Sequence, residues 1–345
     1  MITKIVAPNV WGWVADRRGR RMQLVRVGVI AAVLVFAAVA LSTAFWSIAA
    51  LMILFSFFWN SSLPQFEAVT LNHLGSRVER YTRIRLWGSV GFVISVIGLG
   101  AIIHRHGAGT VPAAVLFLLV LVALSSLLVG EREATRRPVS RGSLLAVLRE
   151  RPVIALLAAC LLMQAGHGPY YTFYSIYLAE HGYSSTVIGE LWALGVVAEV
   201  AVFVVMHRLV RRFGLRPLFL LAFGATAVRW IMVAFLVESA VAMVFSQLLH
   251  AASFGLYHGV AIQLIHGQFA GSHQGRGQAL YSSVSFGLGG AIGALLAGFA
   301  WMGIGATATW LGAAGASAVA LLVVWRFVVF PGPLPVPETP RHPLQ

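Results

Sequence analysis

The chain has 345 residues, of which 59% are hydrophobic and only 10% are charged. Soluble domains carry roughly 25% charged residues. This chain therefore has too little polar surface for an ordinary soluble enzyme, a fibrous repeat or a disordered protein, and the remaining class is a membrane protein that crosses the bilayer several times. The formal net charge of +14 would also suit a nucleic-acid-binding protein, so its location along the chain decides its meaning.

Apolar stretches of membrane-spanning length follow one another along most of the chain, separated by short polar breaks. A helix needs about 20 residues to cross a bilayer, and helices satisfy their own backbone hydrogen bonds in lipid. The predicted fold class is therefore an all-α polytopic membrane protein. We predict a partial span at 1–15 and full spans at 24–44, 46–74, 84–103, 112–129, 152–178, 186–206, 217–237, 241–266, 279–301 and 305–329.

The basic residues are concentrated on one side of this predicted arrangement. Of the 25 Lys and Arg residues, 22 lie in alternate breaks, at the span ends beside them or in the C-terminal tail. The intervening loops hold only Arg105, while Lys4 and Arg229 fall inside spans. Basic loops mark the cytoplasmic face. The alternate, arginine-rich breaks and the C-terminus are therefore predicted to be cytoplasmic. No aromatic and basic platform accompanies the charge, and a nucleic-acid partner is not expected.

The first span is too short to cross a membrane. Asp16 and Arg17 mark its cytoplasmic end, and 15 helical residues rise about 22 Å against a hydrocarbon core of about 30 Å. Its charges follow the apolar stretch, unlike those of a signal peptide. We therefore expect a helix upstream of Met1.

The longest basic break divides the chain into two halves. We predict an N-terminal helical bundle at 1–129, a cytoplasmic linker at 130–151, a C-terminal helical bundle at 152–330 and a disordered tail at 331–345 with six prolines. An internal repeat supports two halves. The turns 12–21, Gly-Trp-Val-Ala-Asp-Arg-Arg-Gly-Arg-Arg, and 207–216, His-Arg-Leu-Val-Arg-Arg-Phe-Gly-Leu-Arg, are both short and rich in arginine.

The first of these turns resembles the signature loop of the major facilitator superfamily, which joins its second and third helices, and the second resembles the degenerate copy between helices eight and nine. The resemblance covers essentially the whole chain. It implies two pseudo-symmetric bundles around a central cavity, with eleven segments present: a partial helix two and helices three to twelve, helix one being absent. It also implies a conformational latch at Asp16, Arg17 and Arg20, although these residues could equally serve only to anchor the topology.

A run in the first half carries a candidate ion pair. Asn60, Pro64 and Glu67 share one helix face, and Pro64-Gln-Phe-Glu67-Ala68 followed by Arg83-Ile-Arg85 is similar to lactose permease, where the equivalent Glu and Arg are essential to sugar binding. This resemblance implies that Glu67 and Arg85 act in substrate binding or coupling. A static pair between two helices is the alternative.

A closer likeness is to the phenylpropionate permease branch of the superfamily. It rests on the runs Lys4-Ile-Val-Ala-Pro-Asn9, Phe58-Trp-Asn60, Arg85-Leu-Trp-Gly88 and Trp192-Ala-Leu-Gly-Val-Val-Ala-Glu199. Lys4 would lie near mid-membrane and, with Arg85 and Arg229, would place three cations in the interior. These cations favour a carboxylate-bearing substrate over a neutral sugar, although acids in the same spans could neutralise them.

The second half holds three further ionisable candidates, Glu199, Arg229 and His250. Arg229 and His250 resemble the proton-coupling cluster of lactose permease. The chain departs from that pattern, with Ser253 in place of a carboxylate and Gln247 in place of a lysine. Because desolvation favours the neutral form of a carboxylate, a transported proton is expected on Glu199 or Glu67. A purely structural Glu199–Arg229 pair stays open.

Two polar stripes are predicted to line the cavity. Single histidines in such helices more often join helices than bind ligands, but together the stripes would suit a small polar or aromatic solute. One contains Gln164, His167, Tyr171 and Tyr174, and the other contains Gln247, His250, Phe254, Tyr257 and His258.

These observations predict a secondary active transporter, and not an enzyme. We expect proton-coupled symport of a small organic solute, an aromatic acid such as phenylpropionate first. A sugar or nucleoside symporter, or a membrane sensor or scaffold that transports nothing, is the alternative. The predicted partners are the solute, protons and the lipid bilayer, with no cofactor or metal, in a monomer of the bacterial inner membrane.

Overall fold

The structure, a computed structural model, describes residues 3–18, 20–74, 81–131, 148–269 and 274–330. Within these ranges, ten helical spans are long and apolar enough to cross a membrane, as the hydropathy pattern predicts. The α-helices are α1 (Thr3–Arg18), α2 (Arg21–Leu41), α3 (Phe45–Leu74), α4 (Tyr81–His106), α5 (Val111–Leu128), α6 (Arg151–Gly166), α7 (Gly168–Glu180), α8 (Ser185–Phe213), α9 (Leu215–Phe235), α10 (Ala240–Leu248), α11 (Tyr257–Gln268), α12 (Gln274–Ser282), α13 (Gly290–Ile304) and α14 (Ala306–Phe327).

Three of the predicted single spans are interrupted. The span predicted at 152–178 is divided between α6 and α7 at His167, because Pro169 has no N–H to bond the Ala165 carbonyl one turn earlier. The spans predicted at 241–266 and 279–301 each contain a π-helical segment, at Ala251–Leu256 and Ser283–Gly289. Such segments are uncommon in helices and often mark functional sites.

Very short turns join the later helices. Gly214 (φ 77°) lies alone between α8 and α9, and Gly305 (φ 86°) lies alone between α13 and α14. A positive φ is readily adopted only by glycine, so these two residues allow one helix to follow another directly. Gly19, the counterpart of Gly214 in the sequence repeat, lies outside the described residues.

The first helices pack around the arginine-rich turn between α1 and α2. The Glu131 carboxylate accepts hydrogen bonds from the Arg21 and Met22 backbone N–H groups, at 3.0 and 2.8 Å. A carboxylate at this position stabilises the N-terminus of α2 through the helix dipole. Arg26 of α2 donates to the Val129 carbonyl at 2.8 Å. These bonds fasten α2 to the end of α5.

The earlier and later parts of the chain meet where α4 packs along α8. A Cβ atom added to Gly100 would lie 2.7 Å from the Ser185 carbonyl oxygen, and one added to Gly189 would lie 2.5 Å from the Val96 carbonyl oxygen. The two backbones are therefore in direct contact. Because Gly100 is near the end of α4 and Gly189 near the start of α8, this contact lies on the membrane side away from the arginine-rich turns.

The interrupted helix α6–α7 packs closely against the glycines that precede and open α13. A Cβ atom added to Gly289 would lie 2.5 Å from the Leu161 carbonyl oxygen, and one added to Gly293 would lie 2.6 Å from the Ala165 Cα. The glycine-rich run 287–293 therefore serves helix packing, as expected for small residues in membrane helices.

Part of the predicted domain organisation lies outside the described residues. This applies to residues 132–147 of the predicted linker 130–151 and to the whole predicted tail 331–345. The division into bundles at 1–129 and 152–330 stays a prediction.

Replacing Gly293 with valine is expected to destabilise the fold, because the new side chain would collide with the α6 backbone. Overpacking of this kind costs roughly 1–3 kcal/mol, which should lower the midpoint of thermal unfolding in detergent by several degrees. Gly290→Val is the matched control, since a Cβ atom at Gly290 meets nothing within 4 Å. Equal midpoints for the two variants would contradict the close packing described here.

Candidate functional site in the second half of the chain

Arg229 of α9 is fully buried, with 0% of its surface exposed. Its guanidinium donates to Ser253 Oγ at 3.0 Å and to Gln247 Oε1 at 3.3 Å, and its Nη1 lies 2.9 Å from His250 Nδ1. Gln247 lies on α10, Ser253 lies on the π-helical segment Ala251–Leu256, and His250 directly precedes that segment. Arg229 therefore holds α9 against the middle of the next span.

The direction of these hydrogen bonds determines the state of His250. A guanidinium has donors only, so His250 Nδ1 must accept, and the ring proton of the neutral imidazole lies on Nε2. That nitrogen is 3.5 Å from Glu199 Oε2 on α8. Arg229, His250 and Glu199 consequently form a chain in which the histidine lies between the cation and the carboxylate.

Aromatic rings enclose the guanidinium. Its central carbon lies 4.2 Å from the ring centroid of Tyr170 and 4.6 Å from that of Trp230, and cation–π attraction of this kind is strongest in a desolvated site. Tyr170 also donates to Gln247 Oε1 at 3.1 Å and packs against Trp192, with ring centroids 4.5 Å apart. The positive charge is thus stabilised by ring faces as well as by polar groups.

His167 lies at the break between α6 and α7, beside the aromatic rings that surround Arg229. Its Nδ1 donates to the Met163 carbonyl at 2.8 Å, and its ring meets Trp230 edge-on with centroids 5.0 Å apart. It also stacks on Tyr171, at 6.1 Å, whose side chain is 51% exposed. His167 therefore connects the buried cation to an exposed aromatic surface.

Several buried donors around Arg229 have no hydrogen-bond partner among the described residues. They are Arg229 Nε, Gln247 Nε2 and Trp230 Nε1. An unpaired buried donor costs roughly 1–3 kcal/mol. This surplus of donors suits a ligand that supplies acceptor oxygens.

Tyr257 and His258 belong to the same predicted stripe as Gln247 and His250, but they lie beyond the π-helical segment, at the start of α11. Tyr257 turns into the apolar core of the second half, stacking on Phe219, and its hydroxyl donates to the Cys160 carbonyl at 3.4 Å. His258 Nδ1 instead lies 3.0 Å from the Tyr281 hydroxyl. Only Gln247 and His250 of the predicted stripe, joined by Ser253, reach Arg229.

Among the candidates of the first half, the structure describes the side chains of Asn60 and Glu67. Asn60 of α3 donates to the Ser56 carbonyl at 2.7 Å and to Thr3 Oγ1 at 3.5 Å, which links α3 to α1. Glu67 is half-buried on α3. The side chains of Lys4 and Arg85 lie outside the described part of the structure, so the Glu67–Arg85 pair stays a prediction.

The predicted latch residues are partly described. The Arg17 guanidinium carbon lies 3.9 Å from the Trp13 ring centroid, and Arg20 is exposed directly before α2. The Asp16 side chain lies outside the described part. The latch role stays a prediction, and sequence reasoning missed Glu131, which binds the start of α2 in this turn.

Sequence reasoning also missed Tyr170, Trp230, Ser253 and Gly195 as parts of the site. Tyr170 is adjacent in the chain to the candidate Tyr171, and Trp230 is adjacent to the candidate Arg229, which was the available signal. Ser253 was noted only as a departure from lactose permease. Gly195 lies within the run 192–199 that carries the phenylpropionate-permease resemblance, but that resemblance gives it no role.

A family model for the MFS_1 like family matches residues 1–312. The chain belongs to this family. It is 32% identical, over 287 residues, to a protein of Escherichia coli (strain K12) described as a probable 3-phenylpropionic acid transporter, covering 78% of this chain and 73% of that protein. It is 27% identical, over 300 residues, to the maltose permease of Geobacillus stearothermophilus, covering 86% of this chain and 76% of the permease.

Solved structures share the fold. A point mutant of the nucleoside transporter NupG superposes with a TM-score of 0.79 at 15% identity, covering 94% of this chain and 87% of that chain. The human organic anion transporter MFSD10 gives a TM-score of 0.60 at 15% identity, covering 94% and 81%. These structures show the all-α major facilitator fold. The family match and the relatives in sequence show that the chain is a membrane transporter and not an enzyme.

Replacing Arg229 with lysine is expected to destabilise the protein although the charge is retained. A single ammonium cannot reproduce the fork that serves Gln247, His250 and Ser253, and each buried partner left unpaired costs roughly 1–3 kcal/mol. Thermal unfolding in detergent, followed by tryptophan fluorescence, measures the loss. Arg326→Lys, at an exposed position beside Phe327, is the control and should behave as wild type. An unchanged midpoint for Arg229→Lys would show that the fork is not needed.

Proposed function

We propose that this transporter is a proton symporter for a small organic carboxylate, with an aromatic acid such as phenylpropionate as the favoured solute. The observation that carries the proposal is the buried Arg229, which has neutral hydrogen-bond partners, an unpaired Nε and aromatic rings on its faces. The likeness to a probable 3-phenylpropionic acid transporter supports it. Gln164, His167, Tyr171 and Trp192 would contact the aryl part of the solute.

Charge complementarity supports a carboxylate. Within the described cluster, the carboxylate that faces Arg229 is separated from it by His250, and the direct partners of Arg229 are an amide, a hydroxyl and an imidazole. A carboxylate on the solute would therefore meet an incompletely compensated cation. The predicted interior cations Lys4 and Arg85 would add to this preference from the first half.

The proton would be carried by Glu199. Its side chain is 17% exposed and lies against His250 Nε2, so it reaches both the solvent-accessible surface and the Arg229 chain. Protonation of Glu199 would weaken its attraction for the N–H group of His250. Because the same imidazole ring accepts from Arg229, the hydrogen bond between His250 and Arg229 would change as well. Glu67 is the second candidate carrier, and His258 could extend the path along α11.

Alternating access would move the halves against each other, with the arginine-rich turns and the C-terminus on the cytoplasmic side of the inner membrane. The close contact of α4 with α8 at Gly100 and Gly189 would then close the outer end. Asp16, Arg17 and Arg20 would act at the inner end. The chain would work as a monomer without a cofactor.

A sugar symporter is the second candidate, favoured by the likeness to maltose permease over 86% of this chain. A sugar would use the amides and histidines of the same cluster. The two candidate solutes differ in charge, since phenylpropionate is an anion and a sugar is neutral. Competition between them for uptake therefore distinguishes the two functions.

Uptake by proteoliposomes with an imposed proton gradient tests the proposal. We expect 3-phenylpropionate to accumulate, and maltose and uridine to be weaker substrates. Glu199→Gln should abolish gradient-driven accumulation while preserving exchange of labelled for unlabelled solute, because the amide cannot release a proton. Glu190→Gln, an exposed carboxylate on the same helix, is the control and should accumulate solute normally. Accumulation by wild type without any dependence on the proton gradient would refute symport.

Alternating access has its own test at the glycine contact between α4 and α8. Gly189→Trp should keep the outer end open, lowering uptake at least roughly tenfold while solute still binds from the outside. Gly98→Trp, where a Cβ atom meets nothing within 4 Å, should transport at near the wild-type rate. Normal uptake by Gly189→Trp would show that closure of α4 on α8 is not part of the cycle.

A further inference from the structure

Gln247 has an amide whose orientation is determined by its neighbours. The side chain is fully buried on α10, and its Oε1 accepts from Arg229 Nη2 at 3.3 Å and from the Tyr170 hydroxyl at 3.1 Å. A guanidinium has no acceptor, so the oxygen of the amide must face Arg229. The NH₂ group of Gln247 consequently points to the other side.

That NH₂ group has no hydrogen-bond partner among the described residues, although the whole side chain is buried. Buried polar groups are nearly always paired. The Tyr174 hydroxyl lies close to the same amide, but it too is without a hydrogen bond in the described part of the protein. A bound molecule with an acceptor oxygen would therefore compete with the Tyr174 hydroxyl for this donor.

Gly195 of α8 provides the space that this orientation requires. A Cβ atom added at Gly195 would lie 2.8 Å from Gln247 Oε1 and 3.4 Å from His250 Cδ2. The first distance is shorter than real Cβ contacts allow, and Oε1 cannot retreat without lengthening its bonds to Arg229 and Tyr170. Any side chain at position 195 would thus turn or displace the Gln247 amide.

We propose that Gly195 is a positioning residue that holds the Gln247 amide so that its Nε2 donates to an acceptor oxygen of the transported solute. The inference rests on the proposed function, since it places the solute beside Arg229. Gln247 then determines specificity, because it selects solutes that offer an acceptor next to the group bound by Arg229. A carboxylate supplies two oxygens, one for each residue.

Equilibrium binding of 3-phenylpropionate to the purified protein, without a proton gradient, tests whether Gly195 positions Gln247. Loss of a donor to a charged acceptor should raise Kd about tenfold or more, so Gly195→Ala and Gln247→Ala should each have this effect. In the double variant the added Cβ has no amide to displace, and Gly195→Ala should change Kd less than about twofold further.

Two controls separate positioning from general damage. Gly224→Ala on α9, where a Cβ atom meets nothing within 4 Å, should leave Kd unchanged. Tyr174→Phe removes only the hydroxyl beside the amide and should raise Kd much less than Gln247→Ala does if the Nε2 group of Gln247 serves the solute. A rise in Kd for Tyr174→Phe equal to that for Gln247→Ala would assign the donor to Tyr174 and overturn the inference.

Other results also decide the matter. An unchanged Kd for Gly195→Ala, or effects of Gly195→Ala and Gln247→Ala that simply multiply in the double variant, would overturn the inference. Normal binding without proton-driven uptake would refute symport and leave the inference intact. If wild type does not bind 3-phenylpropionate, the same cycle is measured with maltose and then uridine, and absence of binding to all three would overturn both proposals.

Discussion

A single buried cation constrains the second half of this transporter. An arginine in the interior of membrane helices is costly unless its donors are bound and its charge is compensated. Arg229 meets this requirement with partners from α7, α10 and the segment Ala251–Leu256. The helices that carry these partners must therefore be aligned along the membrane normal and rotated so that each partner faces Arg229. This requirement determines much of the packing around the arginine.

The irregular backbone of this half is what brings the partners into reach. Pro169 ends α6 at His167 and restarts the helix with Tyr170 directed at the guanidinium. His250 and Ser253, three residues apart, face Arg229 together, and Tyr257, after the π-helical segment, lies in the apolar core instead. Gly195 leaves room beside Gln247. Helix breaks and glycines thus position the side chains around Arg229, while the regular helices hold these segments in place.

The partners of Arg229 also explain why the cluster is suited to transport. A direct carboxylate pair would neutralise the cation and leave little affinity for an anionic solute. Here a neutral histidine lies between Arg229 and Glu199, so the charge is stabilised by dipoles and rings while the carboxylate stays at the margin. In the proposed cycle, binding of an anion to Arg229 and protonation of Glu199 would act on the two sides of the same histidine, which is the coupling that a symporter needs.

Composition and hydropathy were sufficient for the fold class and the helical spans, because lipid admits few backbone conformations and arginine-rich turns repeat along the chain. They also indicated Glu199, Arg229 and His250, since ionisable residues in apolar spans are rare. The order Arg229–His250–Glu199 and the aromatic enclosure by Tyr170 could not be predicted, because they depend on how separate helices meet. The separation of Tyr257 from His250 could not be predicted either, because it depends on a π-helical segment that shifts the helical phase. The role of Gly195 was equally hidden, since a missing side chain acquires meaning only when the neighbouring helix is in place. Sequence alone thus determined which residues are expensive to bury, and the tertiary structure decided which of them meet.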